Sequence, residues 1–361
     1  MFRNIRFIGV LLRLKKASMV DFLLKNNLIP DHLIRKVIRK RLKNKLNTEA
    51  AAYSRLGSEK DELTIKSALE SPIALHTQLA NEQHYEVTAG FFETVLGKNL
   101  KYSCGWWEET TVDLNQSEDD MLELVLERAE IEKAQNILDL GCGWGSFSLF
   151  AAQKYPQKKF VAVSNASGQR NYIEQKAKSL NISNLKVITA DINEFQPDIL
   201  FDCIVSIELF EHLRNYKLLF EKLNSWLNTE GRLFVHIFSH KKFTYFFDVV
   251  NRDDWMARHF FTGGMMPSKD YIFNFSKSFY KQSHWIINGL HYSKTLEAWL
   301  QRMDSSKQKI IPVFKSIYGK DYKKFIAYWR IFFMACSETF SMNKGTEWHV
   351  NHYLFKKGTR K

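Results

Sequence analysis

At 361 residues, with 45% hydrophobic and 14% aromatic content, the chain is long enough to bury a real core and too long for one minimal domain. Its four cysteines, Cys104, Cys142, Cys203 and Cys336, have no CxxC or Cys/His spacing; they point to reduced thiols in a cytosolic-type compartment and away from a metal site. The net charge of +13 is unevenly placed: thirteen Lys or Arg stand against Asp21 and Asp31 in residues 1–48, and the remainder is close to neutral.

The basic segment reads as two amphipathic helices, 4–27 and 30–47, broken at Ile29-Pro30-Asp31, with Asp31 placed to cap the second. The apolar run Phe7–Leu12 is too short to span a bilayer. Arg3 and Arg6 ahead of it resemble the start of a signal peptide, yet no small-residue cleavage site follows. Leu33, Ile34, Val37, Ile38 and Leu42 form an apolar stripe between Lys and Arg. Three uses fit that pattern: a helical pair packed on the body, a surface for anionic lipid, or nucleic-acid binding. The last lacks aromatic interleaving and is set aside.

Residues 48–82 are polar and helical. Aromatic, irregular sequence follows from His84-Tyr-Glu-Val87 to Tyr102-Ser-Cys-Gly-Trp-Trp107, and helix resumes at Ser117–Arg128 behind a cluster of acids. Between 136 and 238, strand-like pieces at Asn136–Leu140, Lys159–Ser164, Leu185–Thr189, Phe201–Ile207 and Gly231–Phe238 alternate with helical stretches such as Gln169–Leu180 and Tyr216–Leu227. That alternation predicts βαβ units and a parallel sheet, with ligands beyond the carboxyl ends of its strands. Residues 241–280 are dense in Phe, Tyr and Met. A strand at Ser283–Ile287, helices at Thr295–Met303 and Tyr322–Ser341, and a closing strand at Trp348–Phe355 complete the pattern.

The most informative stretch is Asn136-Ile-Leu-Asp-Leu-Gly-Cys-Gly-Trp-Gly-Ser146. A buried strand ends, the backbone turns through Gly141, Gly143 and Gly145, and a helix begins. Bare backbone at the turn lets a ligand lie against the main chain. The G-x-G-x-G spacing, with Asp139 two residues upstream, differs from the G-x-G-x-x-G of dinucleotide sites. It resembles the first motif of S-adenosylmethionine (SAM) methyltransferases.

With His84–Val87, Leu100-Lys-Tyr-Ser-Cys104, Ser206-Ile-Glu-Leu-Phe-Glu-His212, Phe260–Pro267, Asn288-Gly-Leu-His-Tyr292 and Tyr328-Trp-Arg-Ile-Phe-Phe333 in the same order, the chain resembles the cyclopropane-fatty-acid synthase and coclaurine N-methyltransferase superfamily from about residue 21 to 357. The resemblance implies an α/β fold: a class I, Rossmann-like sheet flanked by helices. It divides the chain into a basic helical extension (1–80), a helical cap over the cofactor (81–130), the SAM-binding core (131–240), and a helical, aromatic substrate-side region with the last strands (241–361). It implies SAM as cofactor, held by the 141–145 turn, Tyr102, Ser103 and Asp139, by Ser164, Asn165 and Gln169 near the ribose, and by Asp191 and Ile192 near the adenine.

Two chemistries compete within that superfamily. Glu208, Glu211 and His212, spaced i, i+3, i+4, share a face if the segment is a helical turn. Methylation of an amine needs a neutral lone pair aligned behind the methyl carbon, so two carboxylates to attract the ammonium and an imidazole or carboxylate to take its proton suit the task. The rival is methylene transfer to an unsaturated acyl chain, with bound bicarbonate as base; the resemblance places that bicarbonate at Cys104, Glu211, His236, Ile237 and Tyr292. The cyclopropane branch usually carries glycine where this chain has Glu208, which favours the amine. Trp255, Phe260, Phe261, Trp285, Tyr328, Trp329, Phe332 and Phe333 are candidates for the substrate cavity, each also explicable as core. The expected partners are a small amine or a membrane lipid, with anionic-membrane contact through the N-terminus and a homodimer as open options, and the expected location is cytoplasmic.

Overall fold

The computed structural model describes residues 22–26, 28–75, 89–249 and 254–358. The run Phe7–Leu12, most of the first basic helix and the block His84–Val87 lie outside the described residues.

The helices, in chain order, are α1 (Asp31–Leu56), α2 (Glu59–Leu69), α3 (Ala89–Val95), α4 (Leu114–Arg128), α5 (Ser146–Lys154), α6 (Ser167–Ser179), α7 (Tyr216–Trp226), α8 (Trp255–His259), α9 (Leu290–Ser305), α10 (Lys307–Tyr318) and α11 (Tyr322–Ser341). The strands are β1 (Asn136–Leu140), β2 (Lys159–Ser164), β3 (Leu185–Thr189), β4 (Phe201–Ile207), β5 (Leu227–His240), β6 (Tyr245–Phe246), β7 (Met265–Met266), β8 (Phe279–Ile287) and β9 (Trp348–Lys357).

Seven strands form one sheet in the order β3-β2-β1-β4-β5-β9-β8; β6 and β7 form a separate ribbon. β1 to β5 are mutually parallel, and β9 runs antiparallel to both β5 and β8. Residues of each strand alternate between two cores. Ile137, Cys203, Val205 and Phe234 pack with Val125 of α4 and Phe147 of α5 on one face. Leu138, Ile204, Leu233 and Val235 pack with Leu219, Phe220 and Leu223 of α7 on the other. Helices thus cover both faces, which is why the parallel strands read as continuous apolar runs.

The order reverses between β1 and β4, and the loops after those two strands lie beside each other there, the expected ligand position for an open α/β sheet. β5 extends to Leu227–His240 and β8 to Phe279–Ile287, both longer than the sequence pattern predicts. α4 starts earlier than expected, at Leu114, because the Asp113 side chain caps it by accepting from Gln116 N–H at 2.9 Å.

The basic helix expected over 30–47 runs on to Leu56. Asp31 does not cap it: Pro30 holds that place without a side-chain bond, and the Asp31 carboxylate takes Arg330 of α11 at 2.8 Å instead. Arg35 reaches Glu297 of α9 at 2.7 Å and Glu338 of α11 at 3.2 Å, and Arg39 also reaches Glu338. Ile34, Ile38 and Leu42 pack toward the main core. α1, the second helix of the expected pair, is therefore packed on the body; most of the first lies outside the described residues.

Candidate active site

At the switch point, the loops after β1 and β4, the 100–104 segment, α1, α9 and α11 enclose a cavity of about 1320 Å³. A side pocket of about 90 Å³ shares Gly141, Gly143, Gln169, Glu208 and His212 with it and is lined further by Ser164, Asn165, Asp191 and Ile192.

The three glycines of the turn differ in their reasons. Gly141, Gly143 and Gly145 all have positive φ, at 81°, 52° and 80°. A Cβ at Gly145 would meet Ile173 Cγ1 at 2.7 Å, and one at Gly141 would meet Leu209 at 2.9 Å. Around Gly143 the protein leaves more than 4 Å clear. Gly141 and Gly145 serve packing of the loop, whereas Gly143 faces open space bounded by both pockets. Asp139 is buried, bonded to Ser148 of α5, and pushed up to about 7 by that burial.

Tyr102, Ser103, Asp139, Gly141, Gly143 and Gln169 line the large cavity. The Ser164 hydroxyl donates to Gln169 Oε1 at 2.5 Å, leaving Gln169 Nε2 buried with no partner; Ser146 Oγ is likewise unpartnered on the cavity wall. Unspent donors at these points fit the carboxylate and hydroxyls of SAM. In the side pocket Asp191 Oδ1 accepts from Asn193 N–H at 2.8 Å, fixing the loop that carries Ile192.

Glu208 follows β4 directly, in the left-handed region at φ 49°, and its N–H donates to His236 O at 2.8 Å. This turn directs its carboxylate back over β5. Oε1 accepts from Cys104 N–H at 3.0 Å and lies 3.2 Å from His236 Nε2; Oε2 accepts from the Tyr292 hydroxyl at 2.5 Å. Burial pushes Glu208 up to about 7, opposed by the charge of Lys101 and by the Tyr292 and Cys104 bonds. Three of the positions expected to surround bicarbonate, Cys104, His236 and Tyr292, are thus filled by a carboxylate of the chain itself. Ile237 lies in the core on the opposite face.

Glu208, Glu211 and His212 do not share one helical face. Residues 210–212 form a single 3-10 turn preceded by the left-handed Glu208. Glu208 and His212 line the cavity, and the His212 ring lies 4.5 Å from that of Phe261. Glu211 turns inward, with no exposure; Oε1 accepts from Phe238 N–H at 2.6 Å and Oε2 has no hydrogen-bond partner. Burial and the nearby Glu208 push its carboxyl well up.

Trp255, Phe261, Tyr328 and Phe332 line the cavity. Trp329 and Phe333 are buried in the core, Phe260 stacks behind Phe332 at 4.3 Å, and Trp285 stands on β8 beneath Arg128. Helical spacing in α11 separates Tyr328 and Phe332, which face the cavity, from Trp329 and Phe333, which do not.

Two contributions were not expected from sequence. Lys101 is 1% exposed, and its Nζ donates to Ser103 Oγ at 2.5 Å and to Cys104 O at 2.8 Å, placing a cation behind Glu208. A lysine in a mixed loop carries no signal of burial. The apolar face of α1, including Leu33, Ile34, Val37, Ile38 and Leu42, forms part of the cavity wall; the stripe was legible, its target was not.

Comparison with known proteins matches residues 75–350 to the family model for mycolic acid cyclopropane synthetase. The chain is 37% identical over 351 residues to an (S)-coclaurine N-methyltransferase of Thalictrum flavum subsp. glaucum, covering 95% of this chain and 97% of that one. It is 37% identical over 277 residues to a pavine N-methyltransferase of the same plant, covering 76% and 78%. A crystal structure of coclaurine N-methyltransferase bound to N-methylheliamine and SAH superposes with a TM-score of 0.89 at 34% identity, covering 95% of this chain and all of that one.

Proposed function

Because the chain belongs to the mycolic acid cyclopropane synthetase family and is a SAM-dependent methyltransferase, we propose that it methylates the nitrogen of a small hydrophobic amine, of the alkaloid class named for its N-methyltransferase relatives. The observation that carries this reading is the occupant of the corner formed by Cys104, His236 and Tyr292. Glu208 already holds its donors. A bicarbonate there would have to displace a covalently tethered anion or sit beside it, and two buried anions at such range repel.

SAM supplies an electrophilic methyl group on a sulfonium. The chain's own residues do the rest. Glu208, the carboxylate on the cavity wall, attracts the ammonium form of the amine. His212 faces the same space and accepts the proton that must leave before the nitrogen lone pair is free. Trp255, Phe261, Tyr328 and Phe332 bound the rest of the acceptor and exclude water. Aromatic faces suit both a hydrophobic skeleton and a cationic nitrogen. Glu211 supports the turn through Phe238 and takes no part in the transfer.

The basic N-terminal helix fits the same reading. Two of its arginines are engaged by Glu297 and Glu338, which hold its apolar face as a wall of the cavity. Among the described residues no helix is long and apolar enough to cross a membrane. A cytoplasmic location belongs to this proposal.

The test supplies labelled SAM with a coclaurine-type secondary amine, and separately with vesicles of unsaturated phospholipid, each with and without bicarbonate. Label on the amine nitrogen, indifferent to bicarbonate, is the expected result. Label in the acyl chains, rising with bicarbonate, overturns the reading in favour of methylene or methyl transfer to lipid.

A further inference from the structure

We propose that Arg128 and His352 are positioning residues of this active site: a one-way run of hydrogen bonds from the Arg128 guanidinium through His352 fixes the tautomer of His236, so that His236 Nε2–H points at Glu208. The inference rests on the reading that Glu208 works as a carboxylate facing the amine.

The run is built into the sheet. Ile207 of β4, His236 of β5, His352 of β9 and Trp285 of β8 are register partners in turn, so their side chains form a row on one face. α4 crosses that face, and its last residue, Arg128, sits over the Trp285 ring at 4.8 Å with Trp106 at 6.0 Å. A helix C-terminus and two aromatic faces stabilise a cation there. Among the described residues no carboxylate pairs with Arg128. Its Nη1 lies 3.0 Å from His352 Nδ1 instead.

The direction follows from chemistry. A guanidinium only donates, so His352 Nδ1 accepts and carries no proton. A neutral His352 then holds its proton on Nε2, which is 2.8 Å from His236 Nδ1. That nitrogen must accept, leaving the His236 proton on Nε2, 3.2 Å from Glu208 Oε1. Both rings are fully buried, and burial with the nearby Arg128 and Lys101 charges holds both well below the ordinary histidine range, hence neutral.

The opposite polarity would also satisfy the two imidazoles. His236 would donate from Nδ1 to His352, and its bare Nε2 would face Glu208. Two acceptors would then meet unless Glu208 took a proton, and a neutral Glu208 would not attract an ammonium. Arg128 excludes that arrangement from about three bonds away.

The experiment uses the full chain with ¹⁵N-labelled histidine, reading the tautomers of His236 and His352 by long-range proton–nitrogen NMR without amine present. In the wild type both should be Nε2–H. Arg128→Leu should move both toward Nδ1–H and lower kcat/KM for the amine on the order of tenfold, with SAM affinity unchanged. Arg128→Lys, which keeps a donor, should restore the wild-type tautomers. His352→Gln, whose amide can accept from Arg128 and donate to His236, should keep His236 as Nε2–H and retain most activity, whereas His352→Leu should not. A wild-type His236 found as Nδ1–H, or an Arg128→Leu protein with both tautomers unchanged, overturns the proposal. Because the tautomers are read without substrate, they decide it even if the acceptor proves not to be an amine.

Discussion

The Tyr292 hydroxyl lies 2.5 Å from Glu208 Oε2, while the opposite oxygen of the same carboxylate meets Cys104 N–H at 3.0 Å and His236 Nε2 at 3.2 Å. Three donors on one buried carboxylate make a site shaped for an anion, and here the chain supplies that anion.

Substituting Glu208 separates its role from that of the cofactor pocket. Glu208→Gln presents an amide donor to a corner made of donors and cannot hold an ammonium. Amine kcat/KM should fall by about a hundredfold or more, with SAM affinity by calorimetry changed little. Equal losses in both would make Glu208 structural. Glu208→Gly is more telling: φ 49° suits glycine, and the emptied corner keeps its donors. Formate or bicarbonate in the buffer should then recover part of the lost activity, with no such effect on the wild type.

The pH profile follows from the same burial. Glu208 is pushed up to about 7, so amine kcat/KM should rise with pH through about 7 as the carboxylate forms. A flat profile from pH 6 to 8 would contradict this. The contribution of the raised carboxyls to stability should run the other way. Glu118, Asp139 and Glu208 each keep their proton up to about 7 when folded, whereas the unfolded groups ionise near their ordinary values. Between those limits the folded chain binds more protons at these three sites, so their contribution to stability is greatest below the ordinary carboxyl range and is lost as pH rises through about 7, while the buried His236 and His352, held below the ordinary histidine range, lose theirs toward acid pH. Asp139→Asn should therefore raise Tm relative to the wild type more at pH 8 than at pH 4.

Gly143 and Gly145 should fail differently. At Gly143 an added Cβ meets no protein atom within 4 Å, so Gly143→Val should cost modest stability, from its φ of 52°, and at least about a hundredfold in SAM affinity through collision with the ligand. At Gly145 the first obstacle is Ile173 at 2.7 Å, so Gly145→Ala should lower Tm by more than Gly143→Ala. Unchanged SAM affinity in Gly143→Val would show that the turn is not the cofactor cradle.

Much of the sheet was legible because two-sided burial writes long apolar runs: β1 to β4 and α11 fall where the periodicity places them. What failed was local geometry that only packing decides. α10 was not anticipated because Pro312 lies inside it; Ile310 and Phe314, buried four residues apart, hold the helix together regardless. The i, i+3, i+4 spacing of Glu208, Glu211 and His212 implied one face, but a left-handed residue and a 3-10 turn send Glu211 into the core. The row from Trp285 through His352 to His236 depends on strand register, which a single sequence does not disclose.

The attachment of α1 gives a final prediction, because the helix both walls the cavity and is pinned from outside it. Arg35 is held between Glu297 and Glu338, and Arg330 holds Asp31 at the start of the same helix. Glu338 is nearly buried and stays paired with Arg39, so removing Arg35 takes away the Glu297 anchor and one of two at Glu338, loosening the helix without stranding a charge. The apolar residues of α1 line the large cavity on the side proposed for the acceptor, while the residues proposed for the cofactor stand mainly on the loops after β1, β2 and β3. Arg35→Ala should accordingly raise the amine KM several-fold and leave SAM affinity within about twofold, since loosening one wall removes binding shared by substrate and transition state. Arg35→Lys, a point charge without the fork that spans two carboxylates, should fall between the two. Steady-state kinetics with amine and SAM varied in turn would check this, and a rise in the SAM KM with none in the amine KM would show that α1 guards the cofactor instead.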